Sequence, residues 1–207
     1  TVLSLLASSR DISRSAFDRW ASFYDRSRII RFFLRGWDER IIRLNPPTPI
    51  LDLGCATGRL AKKLLHNGVE SVYGLDLSRN CLSIARKNVG DYQFHPTQGF
   101  IEDLPFKDAT FASVIFSGVI HHLEKPQEAL KEAARVLKPS GNLFIGEPYF
   151  VVGVRQIVNL ALDIYPIQGD RRFYPPRKII GLAQDFGFVK KDVLKHPFSY
   201  ILVFRRC

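Results

Sequence analysis

Between residues 49 and 147, short apolar and β-branched runs alternate with segments of helical periodicity, and few folds accept that pattern. Strands joined by helical crossovers lie parallel, because a parallel pair needs a dozen or more residues to return to the same edge. The chain therefore reads as α/β with a wound sheet. Strands are predicted at 49–53, 71–75, 111–116 and 142–146, with a weaker one near 92–100. Helices are predicted at 58–66, from an N-cap at Ser78 to residue 88, and at 126–137. Beyond these come helices near 151–164 and 176–186 and closing strands near 189–194 and 200–204.

The 207 residues, 46% of them hydrophobic, suffice for one domain with a core and exclude disorder as the main state. The expected division is an N-terminal helical lid (1–48), a ligand-binding half (49–147) and acceptor-side helices with closing strands (148–207). No uncharged apolar run is long enough to span a membrane: the greasiest stretch is interrupted by Glu147, Arg155 and Asp163. The start has no signal-peptide pattern, and methionine is absent even at position 1, as expected of a processed product. Cys55, Cys81 and Cys207 make no even disulfide framework, which fits a reducing, cytoplasmic setting.

Charge is segregated. The net of +10 divides into +4 over residues 1–48, zero over 49–167 and +6 over 168–207. Basic ends around a neutral middle favour an anionic partner, either a phospholipid surface, RNA or an acidic substrate. Ile30, Phe33, Leu34, Trp37, Ile41 and Leu44 recur at helical spacing, roughly opposite Arg28, Arg31, Arg35 and Glu39. One reading packs this helix on the sheet; the other makes it an Arg-rich lid whose Trp37 stripe contacts a membrane surface weakly.

Asp52-Leu53-Gly54-Cys55-Ala56-Thr57-Gly58 lies between a strand and a helix. Gly54 lets the chain turn off the strand, and Ala56 and Gly58 keep bulk away from a ligand resting on the backbone. The amides of the following helix start can face a polar ligand group. Asp76 ends the second strand, where a carboxylate can accept both hydroxyls of a ribose. A dinucleotide fingerprint would need glycine at position 59, which is Arg59, so the site reads as one for a nucleoside of another kind.

The D-x-G-x-A-x-G spacing resembles the first motif of the class I S-adenosylmethionine-dependent methyltransferases, in the small-molecule, lipid and quinone subgroup. Further stretches are similar to that family in order. They are Phe17-Asp18 through Tyr24-Asp25, Glu102-Asp103-Leu104-Pro105-Phe106, Phe111 to Phe116, His121-His122-Leu123, Ala134 to Leu143, and the ending from Phe173-Tyr174 to Gly187-Phe188. The resemblance implies a Rossmann-like, seven-stranded, mostly parallel sheet with helices on both faces and an antiparallel last strand. It implies S-adenosyl-L-methionine as cofactor. Gly54, Cys55, Ala56 and Gly58 would run along its methionine part, Asp52 would sit near its amino group, and Ser117 would lie beside it. Asp76 would hold the ribose, Leu77 would face the adenine, and Tyr24 would close over the cofactor. Phe100, Ile101 and Glu102 would flank the adenine edge. Two positions depart from the family: Ala56 stands for a glycine, and Phe100 for an aspartate that reads the adenine amino group.

His121 and His122, just past the fourth strand, are the candidate general bases, since imidazole accepts a proton near neutral pH. Ser117-Gly118-Val119-Ile120 is not the Asp/Asn-Pro-Pro-Tyr/Phe of amino-methylating enzymes, and no Pro-Cys pair offers a covalent cysteine route. No His/Cys/Asp cluster has metal-ligand spacing. An acceptor pocket is expected from the N-terminal helix and residues 147–175, with Trp37, Tyr149, Phe150, Val151, Ile157 and Leu160 inside an arginine rim. That composition suits a hydrophobic acceptor with an anionic end. RNA modification and cofactor binding without catalysis are the alternatives.

Overall fold

The computed structural model describes residue 18 and residues 28–151, 153–164, 171–196 and 198–207. The elements are α1 (Arg28–Arg43), β1 (Ile50–Leu53), α2 (Arg59–His66), β2 (Val72–Asp76), α3 (Arg79–Val89), β3 (Phe94–Gln98) and β4 (Phe111–Ser117). There follow a 3₁₀ turn (Ile120–His122), α4 (Pro126–Val136), β5 (Leu137–Pro148), α5 (Val154–Ile164), α6 (Pro176–Gln184), β6 (Phe188–His196) and β7 (Ser199–Arg206). The strands form one seven-stranded sheet in the order β3-β2-β1-β4-β5-β7-β6. Neighbours from β3 to β5 pair parallel, and β7 runs antiparallel to both β5 and β6. This is the expected architecture, antiparallel last strand included.

Strand periodicity sorts the core into two layers. Leu51, Leu53, Val114, Phe116, Leu143 and Ile145 face α4 and α6, where Ala129, Leu130, Ala133 and Ile179 meet them. Ile50, Val72, Ile115, Phe144 and Ile201 face the other way, onto Ile41 of α1 and Leu60, Ala61 and Leu64 of α2. The central strands are buried on both faces, which is why they read as unbroken apolar runs rather than alternating ones. β5 is longer than the predicted 142–146. It opens with Leu137 paired to Phe111, and the register shifts before Asn142 pairs with Ser113. Ser140, in the left-handed region at φ 60°, lies within this irregular stretch.

The strand order reverses between β1 and β4, so the crevice outside the carboxyl ends of these strands is open to a ligand. Asp52, Asp76, Ser117 and Glu147 all lie at those ends.

α1 settles the choice between its two readings. Trp37 is 3% exposed and Ile41 fully buried, so this part of the stripe packs onto the domain and does not present itself to a membrane. The expected membrane contact through Trp37 is therefore corrected. Asp38, fully buried beside Trp37, accepts from the Arg59 guanidinium and from Lys63 Nζ at 2.8 Å. Arg59 opens α2, yet its side chain reaches to α1. The residue that breaks the dinucleotide fingerprint thus helps to fasten the N-terminal helix. Replacing Trp37 by alanine removes a buried ring and is expected to cost about 3–5 kcal/mol of stability. Urea unfolding checks this; a midpoint like that of the unaltered chain would mean that α1 is not part of the core.

Candidate cofactor and acceptor site

The turn after β1 is built around glycine. Gly54, at φ 70°, donates its amide to Leu75 O at 2.7 Å, and Cys55 N–H donates to the same carbonyl at 3.1 Å. A Cβ on Gly54 would lie 2.6 Å from Val119 Cγ2, so the loop after β4 packs directly on this turn. Gly58, at φ 77°, precedes α2, and a Cβ there would press on Ala85 and Val89 of α3. Ala56 occupies the left-handed region at φ 46°. An L-residue there costs roughly 1–2 kcal/mol, so this position has a glycine's backbone with an alanine's side chain. Cys55 is buried against Gly74, and its role is packing. Burial, then the nearby Asp76 and Asp52, push its thiol well up, which keeps it protonated.

Asp76 ties the turn to the second strand. Its Oδ2 accepts from Ala56 N–H at 2.8 Å and its Oδ1 from Ser78 N–H at 2.8 Å. Ser78 caps α3 as predicted, with its Oγ accepting from Cys81 N–H at 3.0 Å. The Ser78 hydroxyl also donates to Asp18, which brings that carboxylate to the rim. Each oxygen of Asp76 keeps a second lone pair, the capacity a ribose diol needs. Its carboxyl is raised by burial and, less, by Asp18, against the lowering effect of the Ser78, Ala56 and Leu77 amides.

Asp52 lies one strand over and is 1% exposed, with no hydrogen-bond partner on Oδ2. Burial, reinforced by Asp76, pushes its carboxyl up to about 8. An orphaned buried carboxylate oxygen is expensive unless a cationic donor meets it. Ser117 Oγ, at the end of β4, is likewise buried without a partner. The amino group of S-adenosylmethionine is such a donor, so these residues fit the cofactor.

Past the end of β2 an open cleft of about 680 Å³ is lined by Asp18, Leu77, Gln98, Gly99, Phe100 and Asp103 among others. Leu77 and Phe100, expected against the adenine, are thus brought together in one cleft. Ile101 turns its side chain into the core, and Glu102 is not among the lining residues. Asp103, whose amide donates to Phe100 O at 3.2 Å, lines the cleft with its carboxylate, as does Asp18. The expected position of Tyr24 lies outside the described residues.

On the acceptor side His121 is 7% exposed and stacks on Phe173, with ring centroids 5.0 Å apart and planes at 22°. Phe150 meets Phe173 edge-on at 4.9 Å, and the His122 ring is 4.0 Å from that of His121. Asn159 of α5 holds Phe173 in place, accepting from its N–H at 2.9 Å and donating to its carbonyl at 3.1 Å. The residue that sequence reasoning missed is Glu147. It is 3% exposed, and its Oε2 is 2.6 Å from His121 Nδ1. A charge directly after the apolar run 143–146 was its only signal. The expected pocket composition is corrected in part: Val151, Ile157 and Leu160 are 56%, 70% and 62% exposed, and Trp37 belongs to the core. Among the described residues no group of acids, histidines and cysteines is placed to hold a metal ion.

The raised Asp52 carboxyl has a consequence for stability. A folded-state pKa near 8 against an ordinary 3.8 means that the folded chain binds the extra proton between those values. Stability of the ligand-free chain therefore falls as pH rises from about 4 to about 8. Asp52→Asn should flatten much of that decline, leaving the part due to Asp76. Melting temperatures from pH 5 to pH 9 test this; equal slopes in both proteins would contradict it.

Residues 51–145 match the family model of a methyltransferase domain. The demethylmenaquinone methyltransferase of Tropheryma whipplei is 32% identical over 142 residues, covering 65% of this chain and 58% of that protein. The chain thus spans somewhat more than half the length of this relative. An uncharacterized protein of Methanocaldococcus jannaschii is 32% identical over 181 residues, covering 84% of this chain and 81% of its own. A solved S-adenosylmethionine-dependent methyltransferase of Thermotoga maritima superposes with a TM-score of 0.74 at 23% identity, over 94% of this chain and 100% of that one. With the glycine turn, the two strand-end carboxylates and the reversed sheet order, these matches place the chain in the class I S-adenosylmethionine-dependent methyltransferase family.

Proposed function

We propose that the chain transfers a methyl group from S-adenosylmethionine to a small hydrophobic acceptor. The observation that carries this reading is the pair of buried, unpartnered oxygens, Asp52 Oδ2 and Ser117 Oγ, beside a turn already tied open by Asp76. When bound, the cofactor supplies a methyl group activated on a sulfonium. The chain's part is to hold and to exclude. Asp52 meets the cationic amino group, Ser117 lies beside it, and Gly54, Cys55, Ala56 and Gly58 provide the floor. Asp76 takes the ribose hydroxyls, while Leu77 and Phe100 cover the base. Alignment of acceptor and methyl group contributes most of the rate in such a displacement. Where the acceptor has a proton to lose, His121 is the group we assign to receive it, with His122 adjoining.

The aromatic wall of Phe150 and Phe173 and the buried Leu162 support an apolar acceptor. The relatives named for demethylmenaquinone support the same class. The exposed aliphatics Val151, Val154, Ile157 and Leu160 extend along the outer side of α5. Tyr149 N–H donates to Phe198 O at 2.8 Å, so exposed Phe198, close in sequence to Lys195 and His196, lies against the segment that leads toward α5. An apolar band with cationic borders suits an anionic phospholipid surface, so the lipid contact first expected of α1 is assigned to α5.

Labelled methyl transfer into lipid, polar small-molecule and RNA fractions tests the reading. Incorporation is expected in the lipid fraction and should fall at least tenfold in Asp76→Asn, which loses charge-assisted bonds. Ile157→Ser with Leu160→Ser should lower transfer when that fraction is presented in anionic vesicles, and not when it is dispersed in detergent. Labelling of RNA alone would overturn the acceptor class.

A further inference from the structure

Glu147 is a carboxylate in the wrong solvent. It stands near the end of β5, 3% exposed, one residue beyond the buried run Leu143, Phe144 and Ile145. Taking such a charge out of water costs several kcal/mol unless its oxygens are bonded. Both are. Oε1 accepts from Val119 N–H at 2.9 Å and from Ile120 N–H at 2.8 Å, and Oε2 lies 2.6 Å from His121 Nδ1. The two amides open the 3₁₀ turn that carries the histidines, so one carboxylate fixes both the turn and the ring.

We propose that Glu147 is a positioning residue that holds His121 as the Nδ1–H tautomer and aims its other nitrogen at the acceptor, and that it couples this histidine to the cofactor turn. The tautomer follows from the donor inventory. An ionised carboxylate only accepts, so a 2.6 Å contact requires the proton on Nδ1. The neutral ring then carries its lone pair on Nε2. As the acceptor's bond to the methyl carbon forms, the electron pair of the carbon–sulfur bond leaves with sulfur, and the acceptor's proton passes to Nε2. The ring becomes a cation paired with Glu147. The coupling runs through Val119, whose amide is held by Glu147 and whose side chain occupies the space a Cβ on Gly54 would need. The acceptor-side carboxylate therefore also sets the packing on the turn beneath the cofactor.

The titratable and charged groups around this unit come from several elements. His122 lies on the same turn with its ring 4.0 Å away. Tyr200 on β7 and Tyr174 before α6 both have their hydroxyls raised by burial and, less, by Glu147, so they stay protonated; Tyr200 donates to Tyr174 O at 3.1 Å. Arg155 on α5 acts on Tyr200 and Arg172 on Tyr174. Neither tyrosine offers a competing base near neutral pH.

The base role rests on the methyl-transfer reading; the tautomer does not, and the experiment separates them. In Glu147→Gln the single amide oxygen is pinned by the Val119 and Ile120 amides, so the NH₂ faces Nδ1 and donates to it. Long-range ¹⁵N–¹H spectra of labelled His121 should show Nδ1–H in the unaltered chain and Nε2–H in Glu147→Gln, with His121→Ala assigning the signal. The same tautomer in both proteins would overturn the positioning role whatever the acceptor is. On the acceptor found by the fraction screen, kcat of Glu147→Gln should fall at least a hundredfold with KM changed less than threefold, as a wrong tautomer does in other imidazole bases. Its acid limb should move to lower pH, because the partner carboxylate is gone. A switched tautomer with unchanged kcat and profile would overturn the catalytic half while leaving methyl transfer itself standing.

Discussion

The double acceptance by Asp76 is the interaction on which the site depends. Its two oxygens take the amides of Ala56 and Ser78, at 2.8 Å each, so a single carboxylate joins the turn after β1 to the start of α3. That bridge, with the Gly58 N–H bond to Cys55 O across the turn, helps hold Ala56 at φ 46°, a conformation that alanine avoids. The strained turn and the start of α3 are thus one arrangement. Asp52 completes it on the neighbouring strand, paired with Gly74 of β2 in the ladder, where burial and then Asp76 keep its carboxyl from ionising readily.

Two other buried acids anchor the flanks by the same physics. Asp38 binds Arg59 and Lys63 and so fixes α1 to the first residues of α2. Glu147 binds the 3₁₀ turn and His121 on the opposite side of β1. Each pairs a charge that the apolar interior would otherwise reject; Asp38 joins two helices, and Glu147 fastens an irregular turn to the sheet. The sheet supplies rigidity; these carboxylates decide how the loops at its carboxyl edge sit.

What was legible in the sequence follows from range. The strands and helices were readable because periodicity and caps are local: Ser78 as an N-cap and the apolar run 111–116 needed no tertiary information. The glycine turn and Asp76 were readable because their spacing is a motif. The partners of Asp38 and Glu147 were not, since those bonds join residues more than twenty positions apart and leave no pattern in either segment. The same reason explains α1, where an amphipathic stripe fits a sheet face as well as a lipid surface, and only the burial of Trp37 decides. Aliphatics of α5 expected in a pocket turned outward because Asn159 and Leu162 occupy the inward side of that helix.

The central claim is that Asp52 waits, protonated, for a cationic cofactor group. Calorimetric titration with S-adenosylhomocysteine at pH 7, in buffers of differing ionisation enthalpy, measures it directly. A carboxyl at about 8 that gains an ammonium partner must ionise, so binding should release close to one proton in the unaltered chain and far less in Asp52→Asn. Binding without proton release in the unaltered chain would contradict the account.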